Sequence, residues 1–403
     1  MPFRSLWLLV GPALAIVGFA SGEPIITGVG LIVVLVGAGS RFWANHLFDR
    51  VSLRISLSED HVFLDESLTL TVELENRKIL PLPWFEWRVA VAEVLKADGE
   101  QLASSSSPGW SWIWRRGASG WYETQKWNFT VRADERGYHN VGPVTVASGD
   151  LLGLFPRQIE LSDLQAIIAY PRVYDLTEMG FPADRPLGDN RGRNRIFEDP
   201  LRISGLRDHH PSDPLRRIDW KATARRGELQ SKVYEPSAIP HLYLFMNIDT
   251  LGHSWEGYLK DDLERTISVT ASVVVWASGR RFAVGLLANG SFPNADRPIR
   301  IVPSRSRDQL TRLLETLAVV QPLTMGNLAG AIQRELARIP AGSTIVLVAA
   351  FLTEELGAAI ARLKAEGHEV VAILTTESAD ARLLGDVECR VVARDIEAAE
   401  VLR

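Results

Sequence analysis

The order of hydrophobic and polar positions divides this chain into four textures. The first consists of two apolar runs, Leu6 to Ala20 and Ile25 to Gly39, separated by Ser21-Gly22-Glu23-Pro24. Extended to their flanks, Phe3 to Ser21 and Pro24 to Phe42, each approaches the ~20 residues a helix needs to cross a bilayer. The second texture is alternation. Val51, Leu53, Ile55 and Leu57 interleave with polar residues, as do Leu68, Leu70, Val72 and Leu74, and a period of two predicts strands. With further candidates at Phe85 to Val91, Glu123 to Arg132 and Val141 to Ala147, residues 46–170 read as an antiparallel β-sandwich. Residues 171–240 then lose periodicity and become rich in Pro, Gly and Arg, as a connector would.

From 241 to 403 strand-like and helical stretches alternate. The strands are His241 to Ile248, Arg281 to Leu287, Ser343 to Ala350 and Glu369 to Leu374. The helices are Asp261 to Ser278, Asp308 to Val320, Leu328 to Arg338 and Glu354 to Glu366. Apolar strands interleaved with helices predict a parallel, doubly wound sheet. Val269 to Ala277 is too short to span a membrane and is expected to be a helix buried against that sheet. The fold class is therefore α/β plus all-β: a transmembrane helical hairpin over 1–45, the sandwich, the connector and the doubly wound domain.

Charge adds an orientation. Arg4 precedes the first apolar run, and Arg41, Arg50 and Arg54 come after the second. Positive charge on one side of both runs predicts two spans, with the N-terminus and the soluble domains on the cytoplasmic side of the plasma membrane and Trp7 and Trp43 at that interface. A cleaved signal peptide ending near Gly18-Phe19-Ala20 is the competing reading, which the second run weakens. The 403 residues carry a net charge of −5, which argues against a general nucleic-acid binder. Between Arg185 and Lys232, however, twelve Lys or Arg stand against seven Asp or Glu. The single cysteine, Cys389, excludes an internal disulfide and reads as a small core residue. Seven of the twelve tryptophans fall between Trp84 and Trp127, where they either fill the sandwich core or form a membrane-facing or partner-binding patch.

The densest chemistry lies in Leu206 to Leu229, LRDHHPSDPLRRIDWKATARRGEL. Pro211-Ser212-Asp213-Pro214 is a turn. If the residues after that turn are helical, Arg216 and Asp219 share a face and pair, with Ile218 and Trp220 as apolar anchors. One reading is a clasp holding the connector to a domain. The other is a partner-docking surface built from Arg207, Asp213, Arg216, Arg217, Asp219, Trp220, Lys221 and Arg225.

The run Asp213-Pro214-Leu215-Arg216-Arg217-Ile218-Asp219-Trp220-Lys221, with Ala224-Arg225 beyond it, resembles the signature of the bacterial "domain of unknown function 58" family. So do Arg136-Gly137-Tyr138-His139-Asn140-Val141-Gly142-Pro143 and Gly149-Asp150-Leu151-Leu152-Gly153-Leu154-Phe155, although Leu151-Leu152 replaces the family's Pro-Phe. The resemblance implies a membrane-anchored protein whose last domain is von Willebrand factor A-like, often associated with ATPases of the MoxR type. Such domains often hold magnesium through Asp-x-Ser-x-Ser, a distant Thr and a second Asp. Here Asp249 survives, Leu251 and His253 stand at the serine positions, and Ala350 replaces the second Asp. No cofactor is expected, and Asp249 reads as a remnant or a helix-capping group.

Catalytic motifs are sparse. Gly252-His253-Ser254-Trp255-Glu256 lacks the last glycine of a nucleophile elbow, and His209-His210 with Asp213 makes a thin metal set. The function expected is a non-enzymatic, membrane-anchored interaction adaptor or assembly factor, working with a MoxR-type ATPase. The alternatives are a hydrolase using Ser254, and binding of anionic lipid or nucleic acid by the Arg-rich connector.

Overall fold

The computed structural model describes residues 7–99, 102–161, 164–177, 179, 181, 198–210, 218–236, 241–252, 256–293, 297–340 and 342–392. The chain separates into two compact units, 1–170 and 171–403.

The first unit opens with helices α1 (Trp7–Ser21) and α2 (Pro24–Asn45), which pack against each other. Their contact is lined by small residues: a Cβ on Gly18 would collide with the Thr27 backbone, and one on Gly30 with Ala15. Close backbone approach of this kind is how helices associate in lipid. α2 is long and apolar enough to cross a membrane, whereas the described apolar stretch of α1 is shorter. Trp43, expected at the membrane interface, is half-buried and packs against the sandwich core. The side chain of Trp7 lies outside the described residues.

The sandwich is built from β1 (Val51–Leu57), β2 (His61–Phe63), β3 (Ser67–Asn76), β4 (Leu82–Ala92), β5 (Leu95–Ala97), β6 (Ala103–Ser104), β7 (Trp110–Ser119), β8 (Thr124–Ala133), β9 (Gly137–Ser148), β10 (Arg157–Leu161) and β11 (Gln165–Tyr170). One sheet runs β1-β3-β8-β5 and the other β2-β11-β9-β4-β7-β6, with β10 on β9. Alternation places Leu70, Val72 and Leu74 of the first sheet in one core with Phe85, Trp87 and Val144 of the second. Trp87 is fully buried, stacking at an angle on Trp127 and edge-on to Phe129. The tryptophans do not all fill the core, because Trp121 is 69% exposed. Pairing is antiparallel except that β2 lies parallel to β11.

In the second unit the stretch read as a connector contains structure. β12 (Glu198–Asp208) pairs antiparallel with β13 (Gln230–Pro236), and α3 (Trp220–Arg226) lies between them in sequence. A two-stranded ribbon need not present an alternating apolar face, so a period-two signal is missing from these residues.

Beyond it come β14 (His241–Asn247), α4 (Lys260–Gly279), β15 (Ala283–Ala288), β16 (Gly290–Ser291), β17 (Ile299–Ser304), α5 (Gln309–Val319), β18 (Gln321–Thr324), α6 (Leu328–Glu335), β19 (Thr344–Ala349), α7 (Glu354–Ala365), β20 (Glu369–Leu374) and β21 (Glu388–Val391). The main sheet runs β17-β15-β14-β19-β20-β21. It is mixed rather than wholly parallel, because β17 pairs antiparallel with β15 at the edge. The central strands β15 and β19 are buried at every position, hence their unbroken apolar sequences. α6 and α7 cover one face through Ile332, Leu356, Ile360 and Leu363 against Phe245, Ile345 and Leu347. α4 also packs on the sheet, burying Ile267, Val269, Ala271, Val273 and Val274. This is the buried helix expected of the Val269 to Ala277 run.

Candidate functional site

Two places in the second unit concentrate polar chemistry. The first is the end of the β12–β13 ribbon. Asp219 precedes α3 in an extended conformation and caps it, its carboxylate accepting from the backbone N–H groups of Lys221 and Ala222 at 3.0 Å each. The Ala222 amide, aided by the Lys232 ammonium 3.9 Å away, holds the Asp219 carboxyl below the usual carboxylate range. Gly227 ends the helix at φ 76°, in the left-handed conformation that suits glycine, and donates to the Thr223 carbonyl.

Beneath α3 lies a polar knot. Gln230 is fully buried; its Nε2 donates to Asp208 at 2.7 Å, its Oε1 accepts from Arg226 at 3.1 Å, and its backbone N–H donates to the Thr223 hydroxyl at 3.0 Å. The Asp219 N–H donates to the Gln230 carbonyl, and the His209 N–H to that of Leu229. Ser231, also fully buried, lies 2.9 Å from the His209 ring and bridges to buried Ile218. Every buried polar group here that has been named has a partner, so the knot holds α3 in one place.

Of the sequence-predicted site residues, Arg207, Asp219, Trp220, Lys221 and Arg225 all belong to this ribbon and helix. Asp213, Arg216 and Arg217 lie outside the described residues. Asp219 does not sit within the helix on a shared face, as expected, but before it as the cap. Trp220 is not an apolar anchor: it is 67% exposed, and no residue of α3 is buried. Ile218 supplies the anchor alone. The exposed face of α3 thus carries an indole together with Lys221, Arg225 and Arg226. Gln230, Thr223 and Ser231 went unremarked in the sequence; the signal was two polar residues, Gln230-Ser231, heading a strand-like run.

The second place is the carboxyl end of the main sheet, where doubly wound folds commonly bind ligands. The Asp249 carboxylate accepts from Asn289 Nδ2 and from the Thr324 hydroxyl, both at 2.8 Å. Asn289, fully buried, also donates to Asn247 at 2.9 Å and accepts from the Ile248 N–H at 2.9 Å. Asn247 reaches the Phe351 carbonyl at 2.9 Å. Burial pushes the Asp249 carboxyl up, and the Thr324 and Asn289 donors pull against that shift. Asp249 therefore caps no helix; it joins the segments after β14 and β15 to the end of β18.

A magnesium ion, as a von Willebrand A-like domain would hold, does not fit these residues. Both carboxylate oxygens already face donors, one of them an amide whose partial positive charge opposes a cation, and Ala350 offers no side-chain oxygen. Among the described residues no three His, Cys, Asp or Glu are grouped for a metal. His253 and Ser254 lie outside the described residues.

These features define a class: an apolar helix pair and a β-sandwich, then a mixed α/β unit with an appended ribbon. Residues 205–403 match the family described as "Protein of unknown function DUF58", and the chain belongs to that family. Over 258 residues it is 24% identical to the "Uncharacterized protein YeaD" of Bacillus subtilis (strain 168), an alignment covering 63% of this chain and 58% of that protein. The chain thus spans under two thirds of the length of that relative. Among solved structures, a CARDB domain from Pyrococcus furiosus aligns at TM-score 0.20 and 12% identity, over 30% of this chain and 90% of its own. A cohesin module from Clostridium perfringens aligns at TM-score 0.19 and 8% identity, over 30% and 96%. Likeness at that level carries no argument about fold or function.

Proposed function

We propose that this chain is a membrane-anchored, non-enzymatic adaptor or assembly factor that holds a protein partner at the cytoplasmic face of the membrane. α1 and α2 form its two-span anchor, with both ends cytoplasmic, and the α/β unit is von Willebrand factor A-like. α3 and the ribbon beneath it are the docking surface, and the partner is a MoxR-type ATPase.

The observation that carries this reading is Trp220. A large aromatic exposed on a capped helix, beside arginines and above a knot with no slack, has the composition of an interface hot spot. The partner's identity rests on family association alone.

The test places a photoreactive benzoylphenylalanine at position 220 of the full chain in native membranes. Crosslinking to a MoxR-type ATPase, lost when Arg225→Ala is added, is the expected result. A folded, labelled protein that crosslinks to no protein overturns the reading. Lys221, Arg225 and Arg226 on one short helix favour a second reading, binding of anionic lipid or nucleic acid. It requires affinity that falls steeply with salt.

A further inference from the structure

The two ends of the sandwich differ in a way that its core does not require. β1, β3 and β8 pair so that Val51, Asn76 and Thr124 meet at one end, and Leu57, Ser67 and Arg132 lie at the other. The first end is where α2 enters, and it is tied to that helix and its exit three times. The Asp150 carboxylate accepts from Ser40 within α2 and from the Leu152 and Phe155 amides. Arg157 donates to Asn45, the last residue of α2, at 2.7 Å. Buried Lys78 donates to the carbonyls of Leu47 and Asp49.

Exposed apolar side chains surround these ties. Leu151 and Leu152, beside Asp150, are 68% and 62% exposed. Ile79, Trp121 and Tyr122, exposed to a similar degree, sit on two loops stitched together by buried Asn76, which donates to Leu80 and Gly120, and by Tyr122 N–H to Lys78. Arg41, Arg50, Arg77 and Arg157 are exposed among them, with Asp49 exposed beside Arg50 and Glu75 paired to Arg77 at 2.6 Å. At the opposite end, segments 58–60, 64–66, 93–98 and 132–136 hold eight carboxylates against Lys96, Arg132 and Arg136.

We infer that the α2 end of the sandwich is a lipid-binding face: Leu151, Leu152, Trp121, Tyr122 and Ile79 enter the interfacial layer of the bilayer, and the surrounding arginines meet anionic headgroups. This rests on the reading that α2 spans the membrane. At ~1.5 Å per residue, a ~30 Å hydrocarbon layer entered at Pro24 ends near Trp43. Ser40, and with it the Asp150 loop, then falls at the inner edge of that layer. An aqueous setting offers no reason for five large apolar side chains to gather there in the open. The acidic far end would be repelled by the same headgroups, so the charge pattern and the apolar patch select the same orientation.

The experiment uses the full chain with Cys389→Ser, reconstituted in vesicles of phosphatidylcholine and phosphatidylglycerol. A bimane label is placed in turn at Leu35→Cys, Trp121→Cys, Leu151→Cys and Glu59→Cys, and quenching by a lipid-borne nitroxide near the headgroup is compared with quenching by a water-soluble one. The inference expects labels at 35, 121 and 151 to be quenched at least about twofold more by the lipid nitroxide than the label at 59. Lipid quenching at 35 with 121 and 151 behaving like 59 overturns the inference and leaves the anchor standing. Aqueous behaviour at 35 as well overturns the membrane reading, and this inference with it.

Discussion

The two polar centres of the second unit are built on opposite terms. At the carboxyl end of β14, Asn247, Asp249, Asn289 and Thr324 satisfy one another, and the carboxylate that the sequence marked as a metal remnant points at an amide. Below α3 the buried residues Gln230, Ser231 and Ile218 close the knot, while Trp220, Lys221 and Arg225 on the helix face solvent. Both centres hold residue types associated with binding. Internal satisfaction makes the first a pin for the sheet; the second leaves its helix face uncovered, which is what the proposed docking requires.

The largest effect that would sharpen this contrast is Asn289→Leu. It strips partners from Asn247, Ile248 and Asp249 within the sheet and is expected to destabilise the unit by ~3 kcal/mol or more in chemical denaturation. Unchanged stability would mean that the pin is decorative. Gln230→Ala should cost ~2 kcal/mol, leaving Asp208 without its Nε2 donor. Its expected signature is faster amide exchange in β13 with β14 unaffected. Asp219→Ala removes the cap of α3 and should cost ~1 kcal/mol; retention by Asp219→Asn would assign the loss to capping rather than charge.

A pH titration separates the sheet from the ribbon in another way. Burial holds the rings of His241 and His368 neutral by pulling their pKa below the ordinary value. The folded state therefore binds fewer protons than the unfolded one between the lowered and the ordinary pKa. Stability is full above ~6.5 and declines as pH falls through that window. His368→Gln should flatten the decline, and an unchanged slope would exclude His368 as its source. The smallest effect on stability is expected of Trp220→Ala, within ~0.5 kcal/mol, since the indole is exposed. If that change destabilised the ribbon by several times as much, the indole would be a fold element and the docking surface would be lost.

Long unbroken apolar strands and the period-two stretches of the sandwich were legible because burial on both faces, or on one, writes itself directly into residue order. β19 and β3 are examples. The β12–β13 ribbon was not, because its pairing joins residues more than twenty apart and its stability rests on hydrogen bonds rather than on an apolar stripe. The site residues divided likewise. That Asp219 mattered was readable from its place before Trp220-Lys221-Ala222. Its role as a cap was not, because the start of α3 is set by the ties of Ile218 and Asp219 to Ser231 and Gln230, which are distant in sequence. Asn289 carried no sequence signal, since its importance comes from meeting Asn247, Ile248 and Asp249, some forty residues away in sequence.

The backbone ties at His209 and Ile218 set how the ribbon responds to a change in chain length. His209 bonds to Leu229, just before β13, and Ile218 bridges Ser231, two positions further along the chain. The stretch between them leaves and rejoins the ribbon at nearly one spot, like a thread looped through a single stitch. Doubling its length would cost only ~0.6 kcal/mol in closure entropy. A change of length between His209 and Ile218 therefore leaves the register of β12 against β13, and the capped start of α3, where they are.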